Sequence, residues 1–106
     1  HTQFTEYNSK NSYHLYSIRV KFSNLNITKA QLFKKMLQNN IALQVHYRPI
    51  HTQPYYKKKY KLKNSQFPEA MKFYQEQISL PIYPELSISK AKFVANKLIN
   101  ILYEKP

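Results

Sequence analysis

The sequence predicts an α+β domain, a small and mostly antiparallel sheet with helices packed on one face. Two patterns predict it. Apolar and polar residues alternate over residues 14–22 and again over 41–48, as in strands with one buried side. Over 28–38 and 87–102 the apolar residues instead recur at spacings of three and four, as on a helix stripe.

Taken in order, residues 1–13 are polar and aperiodic and read as a lead-in or linker, with one domain spanning 14–106. In the first strand Tyr16, Ile18, Val20 and Phe22 share the buried face, and Leu15, Ser17, Arg19 and Lys21 the other. Asn24 to Asn26 turn the chain. Thr28 is placed to cap a helix that carries Leu32, Phe33, Met36 and Leu37 on one stripe. That helix should end at Asn39-Asn40, because asparagine enters the left-handed region more readily than most residues bearing a Cβ. In the second strand Ile41, Leu43, Val45 and Tyr47 oppose Ala42, Gln44 and His46, so His46 points away from the core.

Pro49 and Pro54 bracket a loop, which the run 57–63 extends. Its five lysines repel one another, so no compact element is expected there. Pro68 and Glu69 open a short helix bearing Met71, Phe73 and Tyr74 that gives way near Ile78-Ser79. Leu80 to Pro84 is a short extended piece whose two prolines confine it to an edge or a bend. Ser87 or Ser89 caps the last helix, where Ala91, Val94, Ala95, Leu98, Ile101 and Leu102 form the stripe.

Composition narrows the chemistry. The 106 residues have room for one domain, and 42% of them are hydrophobic, enough for a core. Cysteine is absent, which removes disulfides, thiolate metal sites and cysteine nucleophiles. Glycine is absent too, and with it every phosphate loop and dinucleotide fingerprint, since those need backbone without a Cβ beside the phosphate. No apolar run spans a bilayer and the N-terminus has no signal-peptide pattern, so a cytoplasmic protein is expected. Lysine and arginine outnumber acids 17 to 5, a formal charge of +12. That excess suits an anionic partner, and codon bias toward lysine and asparagine explains it equally well. Only Arg19 and Arg48 offer a bidentate fork.

Catalytic constellations are scarce. There is no aspartate, and the five glutamates are dispersed; Glu69 and Glu76 alone could share a helix face. His14, His46 and His51 lack the spacing of a zinc site and have no carboxylate to complete a triad. A lysine that forms a Schiff base must be desolvated, and none lies in an apolar run. No catalytic, metal-binding or cofactor-binding residue is therefore assigned. The lysines of 57–63, interleaved with Tyr55, Tyr56 and Tyr60, leave open a free-standing module that binds single-stranded nucleic acid.

The segment from Gln44 through His46-Tyr47-Arg48-Pro49-Ile50-His51-Thr52-Gln53 to Tyr55-Tyr56 is more particular than composition. It resembles a block of the DegT/DnrJ/StrS-type sugar aminotransferases, in which a strand ending in His-Tyr leads to Pro, a branched residue, often His, and then Gln-x-Tyr-Tyr. His14-Leu15-Tyr16, Asn40-Ile41 and Ser79-Leu80-Pro81-Ile82-Tyr83-Pro84 resemble further blocks in the same order, with Asn40 standing where the family commonly has glycine. The similarity is nearest to the branch acting on UDP-linked 4-keto-6-deoxy sugars, as in the pseudaminic acid pathway.

The resemblance implies the C-terminal small domain of a fold-type I enzyme dependent on pyridoxal 5'-phosphate. The cofactor lysine would lie in a large domain N-terminal to these residues, so this chain alone is expected to be inactive and to hold no cofactor. The intact enzyme would be a homodimer that takes its amino group from glutamate and passes it to the nucleotide sugar. The resemblance implies neither a membrane partner nor nucleic acid. Carried over by position, the substrate-pocket residues are His46, Tyr47, His51, Gln53 and Tyr55.

Overall fold

The computed structural model describes residue 2 and residues 7–104. Of the predicted lead-in, residues 1 and 3–6 lie outside the described residues, as do 105–106 of the predicted domain. The element order is β1 (Tyr16–Arg19), α1 (Lys29–Gln38), α2 (Pro54–Tyr60), α3 (Pro68–Glu76), β2 (Gln77–Leu80) and α4 (Ile88–Tyr103), with 3-10 turns at Phe22–Asn24, Ile50–Thr52 and Asn64–Gln66. The fold is a small α+β domain, as predicted.

β1 and β2 pair antiparallel, with Ser17 opposite Ser79 and Ile18 opposite Ile78. Because side chains alternate across a sheet, Ile18, Ile78 and Leu80 share one face and Ser17, Arg19, Gln77 and Ser79 the other. The apolar face meets α1 and α4, which pack against each other. Val20, Leu32, Met36, Ile41, Leu43, Ile78 and Leu98 form the core, with Ile18, Val94, Ile101 and Leu102 packed around it. Full burial of each such side chain contributes about 2 kcal/mol.

Local chemistry explains the helix boundaries. Thr28 accepts from the Gln31 amide while Gln31 reaches back to the Thr28 amide, a reciprocal cap that satisfies two orphan donors of α1. Asn40 then turns the chain at φ 58°. Pro68 occupies the first turn of α3 with Glu69 beside it, and Ser87 caps α4 through the Lys90 amide at 3.3 Å.

Three expectations are corrected. Residues 41–48 do not form a continuous strand: only Gln44 bridges to β2, exchanging both backbone bonds with Ser79. Two residues on, the His46 amide donates to the side-chain oxygen of Gln77 rather than to backbone, and the ladder stops. The burial alternation still holds at Ile41 and Leu43.

The second correction is β2, which begins at Gln77 directly after α3, not at Leu80. The third is the lysine run, part of which is helical. Pro54 starts α2, and Lys57, Lys58 and Lys59 fall in its last turn, where cations oppose the helix dipole. Lys59 also lies over the rings of Tyr55 and Tyr60 at 5.3 and 5.4 Å, which offsets the lysine repulsion. Lys61 ends the helix in the left-handed region.

Candidate functional site

An open groove of about 790 Å³ runs between the extended segment 41–47, the chain after β2 and the start of α4. His46, Tyr47 and Ser79 line one side, and Tyr83, Lys90 and Phe93 another. Tyr47 is 71% exposed, and its ring makes a T-shaped pair with that of His46, centroids 4.7 Å apart.

Behind His46 lies a polar cluster on the non-core face of the sheet. His46 Nδ1 is 2.9 Å from Ser79 Oγ. The Gln77 amide nitrogen donates to Ser79 Oγ at 2.7 Å and to Ser17 Oγ at 3.0 Å. Gln77 is 1% exposed and Ser79 4%, while Ser17 and His46 are half-buried, so the inner part of this polar group is enclosed and internally paired. Cross-strand register places Ser17 opposite Ser79, and the Gln44 bridge brings the next same-face residue, His46, over Gln77.

Of the five residues expected to line a pocket, the structure brings together His46 and Tyr47. His51 does not line the groove: it is 6% exposed, stacked on Phe67 at 4.5 Å, and its Nε2 is enclosed without a hydrogen-bond partner. Gln53 precedes α2, where its carbonyl accepts from the Lys57 amide. Tyr55 stands on α2, 63% exposed, accepting from Lys59 Nζ at 3.1 Å. Sequence reading missed Ser79 and Gln77, because buried polar residues leave no mark on hydrophobic periodicity.

The basic helix is less available for base stacking than its composition suggests. Tyr56 and Tyr60 stack on each other at 6.3 Å, and Lys59 is shared between two tyrosine rings. Among the described residues no cluster of histidines and carboxylates could hold a metal, and no helix is long and apolar enough to cross a membrane.

Neither Lys29 nor Lys90 has the setting of a Schiff-base lysine in this groove. Burial pushes the Lys29 ammonium below its ordinary value, but its Nζ donates to the Tyr74 carbonyl at 2.7 Å and does not line the groove. Lys90, which does, is exposed.

The class follows from the fold. Over 92% of its length the chain superposes with a TM-score of 0.81 and 26% identity on 26% of PseC of Helicobacter pylori, an aminotransferase involved in the biosynthesis of pseudoaminic acid. The same fold recurs in the PLP-form of the putative sugar aminotransferase Spr1654 of Streptococcus pneumoniae, with a TM-score of 0.78 at 22% identity over 92% of this chain and 25% of that one. The domain is thus of the aminotransferase class. The chain belongs to the DegT/DnrJ/EryC1/StrS aminotransferase family, whose sequence profile matches residues 1–99. It is 38% identical, over 88% of its length, to 24% of the UDP-4-amino-4,6-dideoxy-N-acetyl-beta-L-altrosamine transaminase of Campylobacter jejuni serotype O:2. The chain spans about a quarter of the length of the curated relatives it matches.

Proposed function

We propose that this chain is the small domain of a nucleotide-sugar aminotransferase, encloses the sugar nucleotide and leaves the bond-making chemistry to the rest of the polypeptide. The observation that carries this reading is the groove in which His46 and Tyr47 stand over an enclosed polar cluster. The likeness to a UDP-sugar transaminase supports a UDP-linked 4-keto-6-deoxy sugar as acceptor and glutamate as donor. Bound pyridoxal phosphate supplies the electron sink for moving the amino group between them. The domain's own residues bind, orient and exclude water. Lys90, which lines the same groove as His46, adds positive charge that suits the diphosphate. His51, Gln53 and Tyr55 enter the proposal through the segment that continues from Tyr47. A homodimer with a large domain in the same polypeptide completes it.

The test is amino transfer by the polypeptide that carries this chain, followed by mass spectrometry with 15N-glutamate and a UDP-4-keto-6-deoxy sugar. Labelled amino sugar is expected; its absence with the cofactor bound sinks the reading. In the same enzyme, unchanged kinetics for His51→Ala would remove His51 from the site.

A further inference from the structure

The proton inventory behind His46 is nearly determined by geometry. A backbone amide can only donate, so the His46 amide, 3.1 Å from Gln77 Oε1, sets which way the Gln77 side chain faces. Both amide hydrogens of Gln77 then go to hydroxyls, one to Ser17 and one to Ser79. Two hydroxyl protons remain. The Ser17 and Ser79 oxygens lie 3.2 Å apart, and Ser79 Oγ lies 2.9 Å from His46 Nδ1.

If Ser17 donates to Ser79, and Ser79 donates to His46 Nδ1, every proton in the cluster has an acceptor. If Nδ1 instead carried the proton, Ser79 would accept twice and donate to Ser17, leaving the Ser17 hydroxyl proton with no acceptor in the cluster. Ser17 is half-buried, so in the second arrangement its proton has to leave the cluster for solvent, whereas the first arrangement pairs every proton beside the enclosed Gln77 and Ser79.

We propose that Ser17, Gln77 and Ser79 lock the neutral His46 ring in the tautomer protonated at Nε2, so that it offers a hydrogen-bond donor, and not a base, to an oxygen acceptor in the groove. Resting on the function proposed above, that acceptor is an oxygen of the nucleotide sugar, on its diphosphate or on its sugar. His46 is in these terms a positioning and specificity residue. A site built to donate discriminates against ligands lacking the acceptor, because the donor is then left unmatched.

The decisive measurement is a long-range 1H–15N spectrum of the imidazole, recorded well above the ordinary histidine value of about 6.5. It is taken on the 15N-labelled chain and, with label only in the histidine rings, on the polypeptide that carries it. Nδ1 is expected at the unprotonated position and Nε2 at the protonated one. Ser79→Ala should shift both toward averaged positions, whereas Ser17→Ala, which leaves the Ser79 donor in place, should not. A protonated Nδ1 in the unaltered protein overturns the proposal, whatever the variants do.

UDP and free N-acetylglucosamine are then added separately. A shifted Nε2 proton with UDP alone identifies a phosphate acceptor, and with the sugar alone a sugar oxygen; no shift with either overturns the assignment of the ligand. His46→Leu should weaken binding of the responding probe about tenfold, and His46→Gln, whose amide donates from a similar place, should recover most of it. The tautomer is read without turnover, so failed amino transfer and a failed tautomer assignment are separate results.

Discussion

Arg19 and Glu76 tie the first strand to the end of the helix that runs into the second. Arg19 Nη2 lies 2.6 Å and Nε 3.0 Å from Glu76 Oε2, and the guanidinium also reaches the Phe73 ring at 5.9 Å. One residue further, the Val20 amide donates to the Glu76 carbonyl, so a side-chain pair and a backbone bond converge on the α3–β2 junction. This junction positions Gln77, and through it the His46 cluster.

Glu76→Gln should therefore destabilise the fold by about 1–2 kcal/mol, since a charge-assisted bond is weakened while the shape is kept. A double-mutant cycle with Arg19→Lys, read by urea unfolding, checks it. Additive losses would show that the pair contributes nothing as a pair.

Lys35 and Glu104 make a second tie, from α1 to the residue after α4. The Lys35 hydrogen bond, then its charge, hold the Glu104 carboxyl below its ordinary value of 4.5. A carboxyl lowered in the folded state adds stability that is complete above the unfolded value and is lost as pH falls through the folded one. Stability of the unaltered chain should thus fall more below pH 4.5 than that of Glu104→Gln. Both groups are exposed, so the difference should be small and should shrink with added salt. Parallel acid titrations at low and high salt measure it.

Single-stranded oligonucleotide should bind only weakly. Lys57, Lys58, Lys61 and Lys63 supply charge, but the α2 tyrosines are occupied by one another and by Lys59. Fluorescence titration should find association at low salt that vanishes at physiological ionic strength, where the screening length is about 8 Å. Tight binding that survives physiological salt would favour a nucleic-acid module after all.

Exposed apolar side chains should make the chain self-associate. Leu37, Ile50, Ile88, Phe93 and Ile99 are all at least half exposed, which is costly for a domain with so small a core. Sedimentation should show concentration-dependent association. A clean monomer at high concentration would mean that this surface is tolerated in water.

Elements set by local side-chain rules were legible in the sequence: the Thr28 cap, Pro68 at the start of α3, Ser87 before α4 and the Leu98 stripe. Elements decided by tertiary pairing were not. β2 contains Gln77 and Ser79, which look like surface residues, yet both are buried because β1 and His46 supply their partners. The α2 helix was hidden for the opposite reason. Counting lysine charges overlooked the aromatic rings that offset them. Around the groove, family resemblance pointed to His46 and Tyr47, while the serines and the glutamine hydrogen-bonded behind His46 became visible only once strand register was known.

The absence of glycine shapes the unfolded chain as much as the folded one. Tyr13, Asn40 and Lys61 adopt positive φ, at 50°, 58° and 50°, which most residues avoid. Each such position carries about 1 kcal/mol of steric cost, more at tyrosine and lysine than at asparagine. Against this, every residue has a Cβ that narrows its backbone freedom before folding, so less disorder has to be surrendered at each step. The chain thus trades local discomfort at three corners for a less entropic starting ensemble, a favourable exchange for so small a core.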